Sequence, residues 1–504
     1  MGFEPTFEKL NSAGLKRLCV HQAVVEARLL ASGGVLISKV LSIAADCASA
    51  IGDVFTAEAR YSGKVNFKVM FVCQEGNLHS MDYTAEFTDK LLCTNIHGGL
   101  RPSVHSVILD TDIVSADERE IKLACVVETS LDATDTTEYS VLVNAPDDIY
   151  LEKKQLEFSR LVAESYPTFA LTETIALKAG TVLLSEARIV TTKRTAGFDS
   201  AILEGNIFCD LTLADENGML HNLTHITAFK EEFSLEGTRD DNFMLATAAL
   251  TNHTVAVEHD GEKFSATIEF AARAELRAFS TDTLEIVEDC FSVGHDLELA
   301  TSELQLAQHK FCTNFTDRVE GSVTLDNAMP LADNILAITG SKLHIASITA
   351  NEGRLTYDGI VSCNVIFWAS ENNTRHSVAV ELPFSIGANN NMAEATDEFL
   401  AKGIVTNVAA RIVRGTEIQI KADIDAEITA LASVTKTAIT ALELGQERPV
   451  SDSAFSVHVG RAGESLWDVA KALGITPESV EQQNPNTQLP LVGGERLMCY
   501  RQKR

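Results

Sequence analysis

Little in this chain announces chemistry. Of 504 residues only 10 are proline and 2 tryptophan, aromatics make up 6%, and 41 Lys and Arg face 71 Asp and Glu. The resulting net charge of -30 repels phosphate backbones and anionic lipid headgroups, which argues against nucleic acid or a membrane surface as the main partner. Ten cysteines, at 19, 47, 73, 93, 125, 209, 290, 312, 363 and 499, include no C-x-x-C pair, so neither a zinc site nor a redox dithiol is indicated. Several lie on apolar strand faces, where cysteine acts as a small buried hydrophobe, a pattern that suits a reducing cytosol. The phosphate-loop, dinucleotide, zincin and hydrolase-elbow motifs are all missing, so no enzyme class and no cofactor is suggested. Long apolar runs are missing too. The stretch Leu29 to Ile51 is broken by Lys39, Asp46 and Gly33-Gly34, and the first twenty residues carry acids without an apolar core; neither a membrane span nor a signal peptide is expected.

What is present is the composition of folded domains, 45% hydrophobic and 22% charged. The length predicts roughly three to five domains at about 100 to 200 residues each. Charge is unevenly spread: residues 455–504 hold six basic and five acidic residues, so the remainder carries -31.

Self-comparison finds an internal period. Three windows, 61–80, 203–222 and 357–377, open on Gly63, Gly205 and Gly359, at separations of 142 and 154. After each glycine apolar residues alternate: Val65, Phe67, Val69, Phe71; Ile207, Cys209, Leu211, Leu213; Val361, Cys363, Val365, Phe367. Period two means a strand with one buried face. A turn of residues that tolerate positive φ follows (Gln74-Glu75-Gly76, Glu216-Asn217-Gly218, Glu371-Asn372-Asn373), then a second strand reaching Phe87, Phe229 and Phe384, which predicts three β-hairpins. Further alternating runs begin at Ile121, Phe264 and Ile418. The glycines themselves are expected where a side chain is awkward, at a bulge or bend. The aligned His79, His221 and His376 read as equivalent surface positions, and the acidic pairs Asp147-Asp148, Glu231-Glu232 and Asp240-Asp241 as solvated segments.

Residues 455–504 follow another plan. Val457 and Val459 predict a short strand. Ser465 with Asp468 three residues on predicts a helix start, Leu466, Val469, Ala470 and Leu473 its apolar stripe, and Gly474 its stop. Thr476-Pro477 opens a second helix, Asn484-Pro485 ends it, and Leu497 and Cys499 close with a strand. This β-α-α-β order resembles a LysM module: Gly463-Glu464-Ser465-Leu466-Trp467 stands for G-D-[ST]-L-W, Asn484-Pro485 for N-P, and Gly494 with Leu497 for P-G-x-x-L. Ala462 and Gly493 replace two usual prolines. The resemblance implies a shallow groove for N-acetylglucosamine glycans, or for a protein, made by Gly463, Glu464, Ser465, Leu466, Asn484, Pro485 and Leu489. Trp467 and Ile475, with Leu466, are the apolar residues expected nearest a partner. Ser465 serves equally as a cap, Leu466 as core and Asn484 as a helix end.

The glycine-led repeat followed by a LysM resembles clostridial spore-coat morphogenesis proteins of the SipL type. The expected fold is mainly β: an N-terminal segment 1–22, sandwich-like repeats at 23–135, 166–280 and 316–435, linkers at 136–165, 281–315 and 436–454, and the LysM at 455–504. The resemblance implies a non-enzymatic scaffold on the mother-cell side of the forespore, docked to the coat-basement ATPase (SpoIVA-type). The other reading is a wall protein that binds peptidoglycan or a chitin-like glycan, which needs export. The acidic body and the lack of an export signal favour the protein partner.

Overall fold

A computed structural model describes residues 4–97, 100–260, 263–448 and 455–500; the ends of the expected third linker (449–454) and of the C-terminal module (501–504) lie outside the described residues. Among the described residues the chain forms 21 strands and two short helices.

The first six strands are β1 (Thr6–Leu30), β2 (Ile37–Phe55), β3 (Glu58–Cys73), β4 (Leu78–Leu92), β5 (Ser103–Ala116) and β6 (Glu120–Asn144). They make two antiparallel sheets, ordered β2-β3-β4 and β1-β6-β5. Next come β7 (Ile149–Ser165), β8 (Thr168–Leu177), β9 (Thr181–Gly197), β10 (Ser200–Ala214), β11 (Leu220–Ser234), β12 (Phe243–Asp260) and β13 (Lys263–Ser292). Their sheets run β9-β10-β11 and β12-β13-β7, with β8 also on β13. The third group is β14 (His295–Thr324), β15 (Asn334–Asn351), β16 (Arg354–Ala369), β17 (Thr374–Asn389), β18 (Glu398–Val413) and β19 (Glu417–Glu447), in sheets β15-β16-β17 and β14-β19-β18.

Each glycine-led strand is the middle strand of its meander, which is why its alternating residues are buried; Val65, Phe67 and Val69 are fully enclosed. The hairpin tips use positive φ at Gly76, Gly218 and Asn373, as the turn residues predict. Gly63, Gly205 and Gly359 pair directly across from Phe87, Phe229 and Phe384, and the phenyl ring lies over the bare backbone. A Cβ on Gly205 would stand 2.1 Å from the Val190 carbonyl oxygen and 2.6 Å from Phe229 Cζ, and one on Gly359 2.3 Å from the His344 carbonyl oxygen. A bulge adjoins Gly205 and Gly359 but not Gly63.

The second buried runs match at Ile121 to Val127 and Ile418 to Ile424. In the middle group the run starts at Ala266, two residues beyond Phe264. Phe264 is only half-buried, because its ring covers Gly180 and stacks on His259 at 4.8 Å. His79 and His376 stack on Phe71 and Phe367, and His221 lies 3.3 Å from Asp215; the three sit on three separate sheets.

Residues 136–165, 281–315 and 436–447, expected as linkers, are strand apart from the short turns 145–148 and 293–294: they are the far ends of β6, β13 and β19 and the chain of β7 and β14, while most of 1–22 is β1. These strands are long because each works twice. One half completes its own pair of sheets, and the other half packs on its counterparts from the other two groups. A register shift at Leu18 and another at Lys310 mark the bend between halves. In the middle group the corresponding strand is cut into β7 and β8 at Pro167, which has no N–H to give a ladder, although its carbonyl accepts from Ala274 at 2.8 Å.

Contacts between the groups are cyclic. β4 meets β9, β11 meets β15 and β17 meets β2, while β1, β7 and β14 touch one another, as do β6, β13 and β19. The body therefore closes around an approximate three-fold axis. One apolar cluster on it draws Leu10 and Val141 from the first group, Leu156, Phe158 and Ile286 from the second, and Leu304, Leu306 and Ala438 from the third. Another joins Leu41 and Met70, Leu183 and Leu184, and Ala337 and Ile366. Polar ties span each seam: Ser42 Oγ to Thr339 Oγ1 at 2.7 Å, Lys68 Nζ to the Ser185 carbonyl at 2.8 Å, and the Gly340 N–H to the Glu186 carboxylate at 2.8 Å. At the tips Arg375 donates to the carbonyls of Gly218 and Gly76.

Two predictions follow from this packing. Gly205→Val forces a side chain into Val190 and Phe229, and should lower stability by about 1 to 3 kcal/mol, read as a fall in Tm; an unchanged melting curve would refute the role given to the glycine. His309 lies between Phe243 and Phe279 with both ring nitrogens buried and without a partner among the described residues. Burial pushes its pKa down to about 3, and that of His253, beside Lys68, to about 4. Both are neutral when folded but take up protons near 6.5 when unfolded, so stability is lost as pH falls from 6.5 toward these values, by about 1.4 kcal/mol per unit and site. Asp46, which burial raises to about 6, works in the opposite sense over the lower part of that window. His309→Phe should flatten the loss, measured by denaturant titration at pH 7 and pH 5.

Candidate binding module

The C-terminal module comprises β20 (Phe455–Val459), α1 (Leu466–Leu473), α2 (Pro477–Gln483) and β21 (Arg496–Tyr500). β20 and β21 pair antiparallel, with Phe455 opposite Tyr500 and Val457 opposite Met498. Local sequence dictates each boundary. Ser465 caps α1 in a capping box: its hydroxyl accepts from the Asp468 N–H at 3.1 Å and the Asp468 carboxylate accepts from the Ser465 N–H at 2.8 Å. Gly474 ends α1 in the left-handed conformation, and Thr476 caps α2 with Pro477 at its first position. Val469, Ala470, Ile475, Val480, Leu491, Leu497 and Cys499 form the core.

Most of the expected groove residues are committed to internal contacts. Glu464 accepts from the Arg461 N–H at 2.8 Å and sits 2.9 Å from His458 Nε2, contacts that hold its carboxyl below the usual range. The Asn484 amide donates to the Val480 and Met498 carbonyls and accepts from the Met498 N–H at 2.9 Å, tying α2 to β21. Ile475 is buried and Leu466 half-buried. The Gly463 N–H reaches the Leu491 carbonyl at 2.7 Å, which brings the two loops together. Gly463, Pro485 and Leu489 remain at the surface.

Trp467 faces the body. Its indole Nε1 donates to Asp289 Oδ2 at 2.8 Å, its ring meets Phe291 edge-on at 4.9 Å, and Tyr150 stacks behind Phe291 at 5.3 Å. One turn on, Lys471 Nζ reaches both oxygens of Asp289, at 2.7 and 2.6 Å. This seat occurs on one of the three groups only. Counted from the buried pairs Val141-Leu142, Ile286-Val287 and Ala438-Ile439, the places of Asp289 and Phe291 are held by Asn144 and Pro146 in the first group and by Ala441 and Glu443 in the third. Asp289, Phe291 and Tyr150 are not among the residues the sequence pattern singles out. The available signal was Trp467 followed four residues later by Lys471, an apolar and cationic helix face that asks for an acidic, aromatic seat.

A second candidate lies on the axis, a cavity of about 490 Å³ reached by Arg17, His105, Glu275, Lys342 and Lys402. Its charges largely answer one another: Arg17 pairs with Asp132, and Glu275 with Arg273 and His105. Burial alone would raise Glu275, but His105, with Lys402 and Arg277, holds it well below the usual carboxylate range. Among the described residues no cluster of His, Cys, Asp and Glu could hold a metal ion.

The hydrogen bond, aromatic contact and partly exposed ion pair at Asp289 and Phe291 together contribute about 3 kcal/mol. Asp289→Ala should therefore free the module, seen as a red-shifted Trp467 emission in a Trp368→Phe background. Emission that stays blue would mean that Asp289 does not hold the indole.

In comparisons with known proteins, the chain matches no family model, no curated protein and no solved structure.

Proposed function

We propose that the chain is a non-enzymatic scaffold of the spore coat, built of three tandem β-sandwich repeats and a LysM-type module that docks to the coat-basement ATPase. The observation that carries this reading is the pairing of a closed, acidic, three-part body with a single small module seated at one place on it. The repeat reading is supported by the shared place of Gly63, Gly205 and Gly359 in three meanders of the same strand order. The LysM reading is supported by the capping box at Ser465, the turn at Gly463 and the β-α-α-β order. A body at -31 is a poor companion for an anionic wall, whereas a near-neutral module can meet a protein without long-range repulsion. The mother-cell cytoplasm, at the forespore surface, is the location that goes with this reading. No helix among the described residues is long and apolar enough to cross a membrane.

The second reading, binding of peptidoglycan or another N-acetylglucosamine glycan, rests on Gly463, Pro485 and Leu489, which stay accessible beside one another's loops. Two pull-downs with the full chain separate the readings, one on purified peptidoglycan and one on the coat-basement ATPase. Saturable retention on the ATPase, weakened in Leu489→Asp, is the expected outcome. Tight retention on peptidoglycan with none on the ATPase reverses it.

A further inference from the structure

The helices of the C-terminal module pack on one face of the β20-β21 sheet, α1 on β20 and α2 on β21, and α1 carries the Trp467 contact with the body. The other face of the sheet therefore points away from the seat. Its six side chains are Phe455, Val457, Val459, Arg496, Met498 and Tyr500, all exposed, with Val459 at 59% and Tyr500 at 61%. Five apolar residues on ten residues of strand, with one cation and no acid, form a patch of the kind that soluble monomers cover.

We propose that this face docks onto the acidic body of a second copy of the chain, in a head-to-tail contact. Charge decides between the two ways in which copies could meet. Module against module leaves each Arg496 without an acid on the facing sheet, whereas the body offers -31. A seat of matching chemistry exists on the outward face of the β1-β6-β5 sheet. Val24 pairs across to Val126 and Glu26 to Ala124, and on the other side Asp110 faces Val126 and Asp112 faces Ala124. The result is an apolar centre with acids on both flanks; Val24 is 62% exposed, and Glu26, Asp110 and Asp112 are exposed. Sheet faces of this size stack about 10 Å apart, which lets Val457 and Met498 meet Val24 and Val126 while Arg496 reaches the acidic flank. Because the donor face and the seat lie on different parts of the chain, the contact does not use itself up on pairing. It propagates into a ring or a filament, as a scaffold requires. This inference does not depend on which partner the module recognises.

Multi-angle light scattering on the purified full chain, across protein and salt concentration, tests it. The weight-average mass should rise with protein concentration and fall with added salt. Val457→Asp, on an exposed face, should weaken association about tenfold or more without changing the far-ultraviolet spectrum. Arg496→Glu should abolish it, and mixing that variant with Asp110→Lys/Asp112→Lys should restore it. A chain that stays monomeric at all concentrations overturns the proposal. So does association that survives Val457→Asp, or a charge-swapped pair that fails to associate.

Discussion

Closure of the three pairs of sheets on one another is the constraint from which the rest of this structure follows. No pair buries all of its own apolar strand surface. The outer halves of β1, β6, β13, β14 and β19 present Leu, Val and Ile that come together with side chains of the other two groups in the clusters along the axis. Burial of such side chains is worth about 1.5 to 3 kcal/mol each, so the groups stabilise one another and the body behaves as one unit. The polar seams fit this arrangement. Arg194 donates to the backbone of Ala246 in its own group and pairs with Glu427 in the next, and Arg277 reaches Ser103 Oγ at 2.9 Å. Buried charges of this kind cost much when a partner is removed, which makes them guides to which group belongs beside which.

The parts of the fold set by local pattern are legible in the sequence. Strand alternation, the turn residues and the recurrent glycines identify the three meanders, and the caps at Ser465, Gly474 and Thr476 place both helices. What is not legible is which segments find their burial outside their own sheets. Residues 136–165 and 281–315 read as connectors because they fall between the repeated units, and they carry charges such as Lys153, Lys154 and Glu157 beside their apolar residues. In the structure those charges face water while Leu156 and Phe158 face the axis. The two-residue offset at Phe264 has a similar origin. Its ring is apolar and in period, but only part of it packs on the core, and the rest covers Gly180.

The candidate site shows the same division. Ser465 and Asn484 match a motif, and both are engaged in holding the module's own backbone, so a motif match measures the fold of the module more than its ligand. Trp467 is expected nearest a partner, but it meets the body of its own chain, and its seat, Asp289 and Phe291, lies 178 and 176 positions away in the sequence on a strand whose pattern marks nothing unusual. With Trp467 turned inward, the expected groove residues that stay exposed are Gly463, Pro485 and Leu489 on the loops, and the outer sheet face is exposed as well. Any partner meets these first, and Trp467 becomes available only if the Asp289 contact opens.

The seam between the first and third groups tests closure most directly, because nearly three hundred residues separate its two sides. Ser42 Oγ and Thr339 Oγ1 are 2.7 Å apart, so side chains at the two positions point at one another across the seam, as a disulfide between them requires. In the Ser42→Cys/Thr339→Cys chain, mild oxidation should give an intramolecular bond, seen as faster migration on a non-reducing gel that is abolished by reductant and absent from each single variant. A double variant that forms only intermolecular bonds, or none, would contradict a closed body and leave three independent domains on a string.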